Sequence, residues 1–314
     1  MHDEVSLYVL GSLVVACSAK VERFPMPGEA VAAEAFTVEI GGKGFNVAVG
    51  AQRLGVRVGG LLAIGDDALS HLAEQAVLQA GLPGRMLRRF PGVSGAGVGL
   101  TDRRGETSVA VFSGANRLLS GAEVAEDAAA IRTAPFVMAQ FEIGDGPIEE
   151  GFALARSAGG RTVLNPSPFR PVSRRILRAT SIIVCNRVEA SCLAQACGLG
   201  LGSDGEERLA EWLMREGVEI FVVTHGGEGA VAYPHGGPPI RQAALPVEVV
   251  DTLGAGDAFT AGLLSGLIEG RSLQGSLERA AACAALVCAG NGVLERLPDL
   301  SKVHSFLSPA RRIA

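Results

Sequence analysis

The chain has 314 residues, 48% of them apolar, which suits one large α/β domain or two smaller ones around a substantial core. The net charge is -5 and no long basic run is present, which excludes a nucleic-acid or anionic-membrane partner, because such surfaces need clustered Lys and Arg. Six cysteines without a CxxC pair, and no His at finger-like spacing, exclude a zinc finger and read as free thiols.

In chain order the first element is a strand at Leu7–Leu10. The segment around it, MHDEVSLYVLGSLVV, has no basic head and a short apolar run, so it does not read as a signal peptide. No apolar stretch approaches a membrane span, and a cytoplasmic location is the expectation. Residues about 13–40 lack helical periodicity and carry the turn segment FPMPGE. A helix follows, with Val47, Ala48, Ala51 and Leu54 on one face and Gly55 as its stop.

Further strands are expected at Val58–Ile64, Phe136–Phe141, Thr162–Asn165, Ser181–Cys185, Ile220–Thr224 and Val247–Val250. Several are continuously apolar, as in parallel strands buried on both faces. Helical patterns cover Leu69–Gln79, Ile148–Ser157, Glu189–Ala196, Glu206–Glu216, Phe259–Ile268 and Leu273–Val287. The alternation predicts an α/β fold, a doubly wound and mostly parallel sheet flanked by helices. Residues 96–116 break it with two strands joined by a polar turn at Asp102–Glu106. Together with the first irregular segment they predict a small β lid, built from about 13–40 and 96–114, on a single domain spanning 1–314.

Two glycine clusters stand out, EIGGKGFN at 39–46 and VVDTLGAGDAFTAG at 249–262. In the second, Gly254 and Gly256 fall at a helix N-terminus, where the first N–H groups have no internal partners and the dipole is positive. Missing side chains let an anion approach those donors. Asp257 beside them reads either as an ordinary first-turn residue or as a base placed next to a phosphoryl site. GAGDAF lacks the third glycine of GxGxxG, and GGKGFN lacks Walker spacing, so a Rossmann dehydrogenase and a P-loop NTPase are disfavoured.

Several motifs in order resemble the PfkB, or ribokinase-like, carbohydrate kinases. GGKGFNVAVGAQRLG (41–55) is similar to that family's first signature and DTLGAGDAFTAGLL (251–264) to its second. IGDD (64–67), SGAN (113–116), NPSP (165–168), NRVE (186–189) and THGGEG (224–229) lie between them in the family's order. The resemblance implies an ATP-dependent kinase acting on a hydroxymethyl group of a sugar or sugar-like small molecule. It implies Asp257 as base, with Gly254, Ala255 and Gly256 as anion hole. Gly42, Lys43, Asn46 and Glu142 would face the sugar. Asn186, Thr224, Gly226 and Gly229 would border the nucleotide, and Glu189 would hold Mg²⁺ through water. Asp251, Leu253 and Gly292 correspond to a K⁺ site found in some members. A homodimer through the lid is implied by analogy.

Each residue also has a plainer reading. Lys43 could be a solvated turn charge, and Asn46 could bond within its own helix start. Asn186 and Glu189 could be a capping pair, and Glu142 a surface acid ending a strand. One departure from the family concerns the acceptor. GSLVVACSAK puts Val14 and Ala16 where an Asn and a sugar-binding Asp are usual, with Ser12 and Ser18 as candidates to compensate. An apolar site discriminates hydroxyls poorly. A nucleoside kinase and a catalytically weak metabolite-binding relative therefore stand as alternatives.

Overall fold

Leu7–Gly11, five consecutive buried residues, form β1 in the interior of a nine-stranded sheet. The structure is a computed structural model that describes residues 5–200 and 205–308. The remaining strands are β2 (Val14–Val21), β3 (Ala33–Gly41), β4 (Val58–Ile64), β5 (Leu87–Arg89), β6 (Gly95–Thr101) and β7 (Thr107–Phe112). After them come β8 (Phe136–Gln140), β9 (Arg161–Asn165), β10 (Ile182–Asn186), β11 (Ile220–Thr224), β12 (Ala230–Pro234) and β13 (Ile240–Gln242). The helices are α1 (Lys43–Arg53), α2 (Ala68–Gln79), α3 (Gly121–Glu126), α4 (Ala128–Thr133), α5 (Asp145–Ser157) and α6 (Arg174–Arg178). The chain closes with α7 (Arg187–Ala196), α8 (Gly205–Arg215), α9 (Ala255–Ile268), α10 (Leu273–Cys288) and α11 (Leu300–Leu307).

The large sheet runs β13-β12-β11-β10-β9-β8-β1-β4-β5, parallel except for β12 and β13 at one edge. Its strands read as apolar runs because both faces are covered. Alternate residues feed two cores. Val9, Met138, Val163 and Val222 pack under α1, α2, α9, α10 and α11. Leu10, Ala139, Leu164 and Val223 pack under α3 to α8. The mostly parallel α/β sheet expected from the sequence is present. From β1 the chain moves to β4 on one side and returns to β8 on the other. This order reverses beside β1, and open α/β sheets bind their ligands at such a reversal, beyond the strand C-termini.

The second sheet, β3-β2-β6-β7, contains the strands expected of a lid and is consistent with one. Asp102 shapes the β6–β7 turn, accepting from the N–H groups of Arg104 (2.8 Å) and Glu106 (3.1 Å). One expected strand is absent. Val247–Val250 runs outside any ladder. Val249 and Val250 are more than half exposed, and Val250 N–H donates to the Cys288 carbonyl at the end of α10. That helix end holds the segment in place of a neighbouring strand. The sheet edge is built instead by the hairpin-like pair β12 and β13, which the apolar pattern did not reveal. Among the described residues no helix is long and apolar enough to cross a membrane.

Candidate active site

The two glycine clusters, more than 200 residues apart, meet at the C-terminal edge of the large sheet. Gly42 adopts φ 103° and Gly254 φ 76°, conformations open to glycine at little cost. Gly42 starts α1 and Gly254 starts α9. α1 can sit close to β1 because Gly44 and Gly11 face each other: a Cβ on either would overlap the other's Cα.

Asp257 lies in the first turn of α9, 6% exposed. Its carboxylate does not cap its own helix. Asn46 Nδ2 donates to Asp257 Oδ2 at 2.7 Å, and Lys43 Nζ stands 4.0 Å from Oδ1. Asp257 is thus a first-turn residue of α9, as its plainer reading has it, and the Asn46 side-chain amide bonds across to it and not within its own helix start. Burial pushes the Asp257 carboxyl above the usual range. Lys43 and the Asn46 amide pull it down, while Glu142 and Glu189 push it up.

Of the three amides expected as anion hole, that of Ala255 is engaged by the Thr252 carbonyl at 3.2 Å. Those of Gly254 and Gly256 have no hydrogen-bond partner among the described residues, as expected at a helix start. Glu142, two residues beyond β8, accepts from Lys43 N–H at 2.8 Å and from the Ser12 hydroxyl. It is thus no free surface acid: it ties the end of β8 to the end of β1 and to the start of α1, at the point where strand order reverses.

Asn186 and Glu189 form the capping box of α7. Asn186 Oδ1 accepts from Glu189 N–H at 2.8 Å, and Glu189 Oε2 accepts from Asn186 N–H at 3.0 Å. Glu189 Oε1 has no hydrogen-bond partner among the described residues, and the charge of this buried side chain is felt at Asp257. Thr224 ends β11 in register with Asn186. Gly226 and Gly229 adopt positive φ in the turn that follows, and a Cβ on Gly229 would overlap the Gln242 carbonyl. Asp251 Oδ1 accepts from Leu253 N–H at 3.0 Å, and Gly292 has φ 79°. The carboxylate of Glu295 adjoins Gly292. Glu39 reaches the same region from β3, its carboxyl raised by burial and then by Glu295 and Asp251.

Val14 and Ala16 share a lid face with Glu39, Gly97 and Val111, as the registers require. Gln140 escaped the sequence reading. It is 1% exposed, and among the described residues neither its Nε2 nor its Oε1 has a hydrogen-bond partner; the same holds for Asn46 Oδ1. The signal was a polar residue ending the apolar run FVMAQ.

The model of the pfkB family carbohydrate kinases matches residues 5–300. The chain belongs to the pfkB carbohydrate kinase family. It is 28% identical over 307 residues to the ribokinase of Haemophilus influenzae, covering 97% of this chain and 99% of that protein. The ribokinase of Arabidopsis thaliana, solved with ribose and ATP, superposes with a TM-score of 0.89 at 27% identity, covering 97% and 99% of the two chains. The nucleoside kinase of Burkholderia thailandensis, solved with inosine, shares the fold with a TM-score of 0.79 at 21% identity, covering 95% of each. The pfkB member described here is thus a phosphotransferase of the carbohydrate kinase family, with the ribokinase-like fold.

Proposed function

We propose that this kinase transfers the γ-phosphoryl of ATP to a hydroxymethyl group of a sugar or sugar-like small molecule, with Asp257 as the base. The observation that carries this reading is the buried Asp257 carboxylate, held by Asn46 and Lys43 beside unbonded amides at the start of α9. The acceptor hydroxyl gives its proton to Asp257 as its oxygen attacks. The Gly254 and Gly256 amides, within the Gly254–Ala255–Gly256 turn, face the charge on the transferring group. Lys43, Gly42, Asn46 and Glu142 line the acceptor side; Asn186, Thr224, Gly226 and Gly229 line the nucleotide side. The work is mainly positioning and charge stabilisation.

Glu189 suits Mg²⁺, because one carboxylate oxygen is free and the ion commonly keeps several waters. Bound there, Mg²⁺ would neutralise phosphate charge. The carbonyls of Asp251, Leu253 and Gly292 are the candidate K⁺ ligands, with Glu39 and Glu295 adding negative charge nearby. Unchanged turnover on exchanging K⁺ for tetramethylammonium would remove that assignment.

Val14 and Ala16, on a lid face with Val111 and beside Glu39, favour a second reading in which a nucleoside base meets the apolar side chains of that face. An ADP-release assay over D-ribose, 2-deoxy-D-ribose, hexoses and nucleosides separates the two. The first reading expects the fastest turnover with a free sugar. No ADP release with any acceptor, alongside ligand binding, would instead indicate a metabolite-binding relative.

The lid supports a homodimer. Phe36, Val38, Val98 and Phe112 share one face and are each about half exposed or more, an apolar patch suited to a second copy. Six free cysteines suit a reducing compartment and a cytoplasmic location.

A further inference from the structure

The link between β8 and α5 must hold Glu142 in place without regular secondary structure of its own. Two apolar neighbours do part of this. Phe141 and Ile143 are buried in the core beneath α3 to α8, while Glu142 between them turns to Ser12 and Lys43. Burial fixes the side chains of Phe141 and Ile143 but leaves the peptide plane next to Glu142 to be set by other contacts.

Arg170, from the loop after β9, sets it. Its Nη1 donates to the Phe141 carbonyl at 2.7 Å, the oxygen of the peptide unit that joins Phe141 to Glu142. Its guanidinium carbon lies 4.1 Å from the centre of the Phe141 ring. Nε donates to Asp145 Oδ1 at 3.2 Å, and Nη2 donates to the same oxygen, at the start of α5. From the same loop the Ser167 carbonyl accepts from Phe141 N–H at 3.1 Å. One planar group therefore grips the carbonyl before Glu142, the ring beside it and the first residue of the next helix. A guanidinium does all three at once, whereas an ammonium on a flexible stem cannot match that fork.

We infer that Arg170 is a positioning residue for acceptor recognition, acting through the Phe141–Glu142 peptide. This rests on the reading that Glu142 faces the acceptor. The hydrogen bonds and ring contact of Arg170 go to Phe141 and Asp145, with none to Asp257 or to the nucleotide-side residues among the described residues, so its effect should belong to one substrate. Side-chain misplacement on the scale of an ångström costs up to about a hundredfold in rate, so a loosened Glu142 should be measurable.

The test is steady-state kinetics with whichever of D-ribose, 2-deoxy-D-ribose and inosine releases ADP fastest. Arg170→Met should lower kcat/KM for the acceptor by about tenfold, a middle value for such misplacement, mainly through a higher acceptor KM. ATP KM should stay within about twofold, and Arg170→Lys should recover only part of the loss. In a Glu142→Ala background the Arg170→Met change should add nothing further, because the two act in series. Asp145→Asn, which loosens the grip from its far end, should raise the acceptor KM more mildly, and it decides the matter should Arg170→Met not fold. Equal rises in both KM values, or full additivity with Glu142→Ala, would overturn the inference. If Glu142→Ala raises the acceptor KM and neither Arg170→Met nor Asp145→Asn does, the Arg170 role falls and the Glu142 reading stands. If Glu142→Ala leaves it unchanged, both fall.

Discussion

Asn46 Nδ2 donates to Asp257 Oδ2 at 2.7 Å, across 211 positions of sequence. The contact locks the first turn of α1 to the first turn of α9. It also leaves the other oxygen of the carboxylate facing Lys43. A buried carboxylate held by one hydrogen bond and one cation is well oriented yet hard to ionise, a combination that suits a base.

Asp257 should set the acid limb of the pH profile. Burial raises its pKa, so kcat/KM should rise with pH through a pKa above the usual aspartate range and then level off. A limb at or below the ordinary aspartate value would contradict the geometry.

Lys43→Met and Asn46→Ala should each move that limb to higher pH. Both residues pull the Asp257 pKa down, so removing either leaves burial and the charges of Glu142 and Glu189 less opposed. The check is kcat/KM against pH for the two variants beside the parent.

Stability should respond in the opposite sense to activity. A carboxyl whose folded pKa is raised contributes stability below its unfolded pKa and loses it as pH rises through the folded value. Asp257→Asn removes that loss. Its Tm at neutral pH should equal or exceed the parent's, with the gap closing as pH falls through the raised pKa. A clearly lower Tm at neutral pH would show that the carboxylate is net stabilising.

Gly254→Ala should damage both fold and turnover. The residue sits at φ 76°, and a Cβ there would overlap the Val293 side chain. The left-handed conformation alone costs about 1–2 kcal/mol for a residue with a Cβ, and overpacking adds about 1–3 kcal/mol. Thermal melts and ADP release measure the two effects.

Much of this architecture was legible because both cores are built from patterns with a clear period. The continuous apolar runs became β1, β4 and β8 to β11, and the stripe on Val47, Ala48, Ala51 and Leu54 became α1. Val247–Val250 misled because an apolar run with no neighbouring strand has the same pattern as one with a ladder; the Cys288 carbonyl holds it instead. Short helices such as α3, α4 and α6 span too few turns to show a period. At the site, glycine spacing revealed both helix starts, and Asn186 with Glu189 revealed a cap. The Asn46–Asp257 and Ser12–Glu142 contacts were hidden, because pairing across 211 and 130 positions is fixed by the topology of the sheet. Gln140 was hidden for a related reason, since only burial turns an ordinary amide into one without partners.

The central claim is that Asp257 takes the acceptor's proton during phosphoryl transfer, and the direct measurement is ATP turnover by Asp257→Asn with the best acceptor of the parent enzyme, alongside ATP binding by calorimetry. The account predicts a fall in kcat on the order of 10²–10⁴, the usual worth of a positioned general base, with nucleotide affinity retained. Parental kcat in that variant would contradict it.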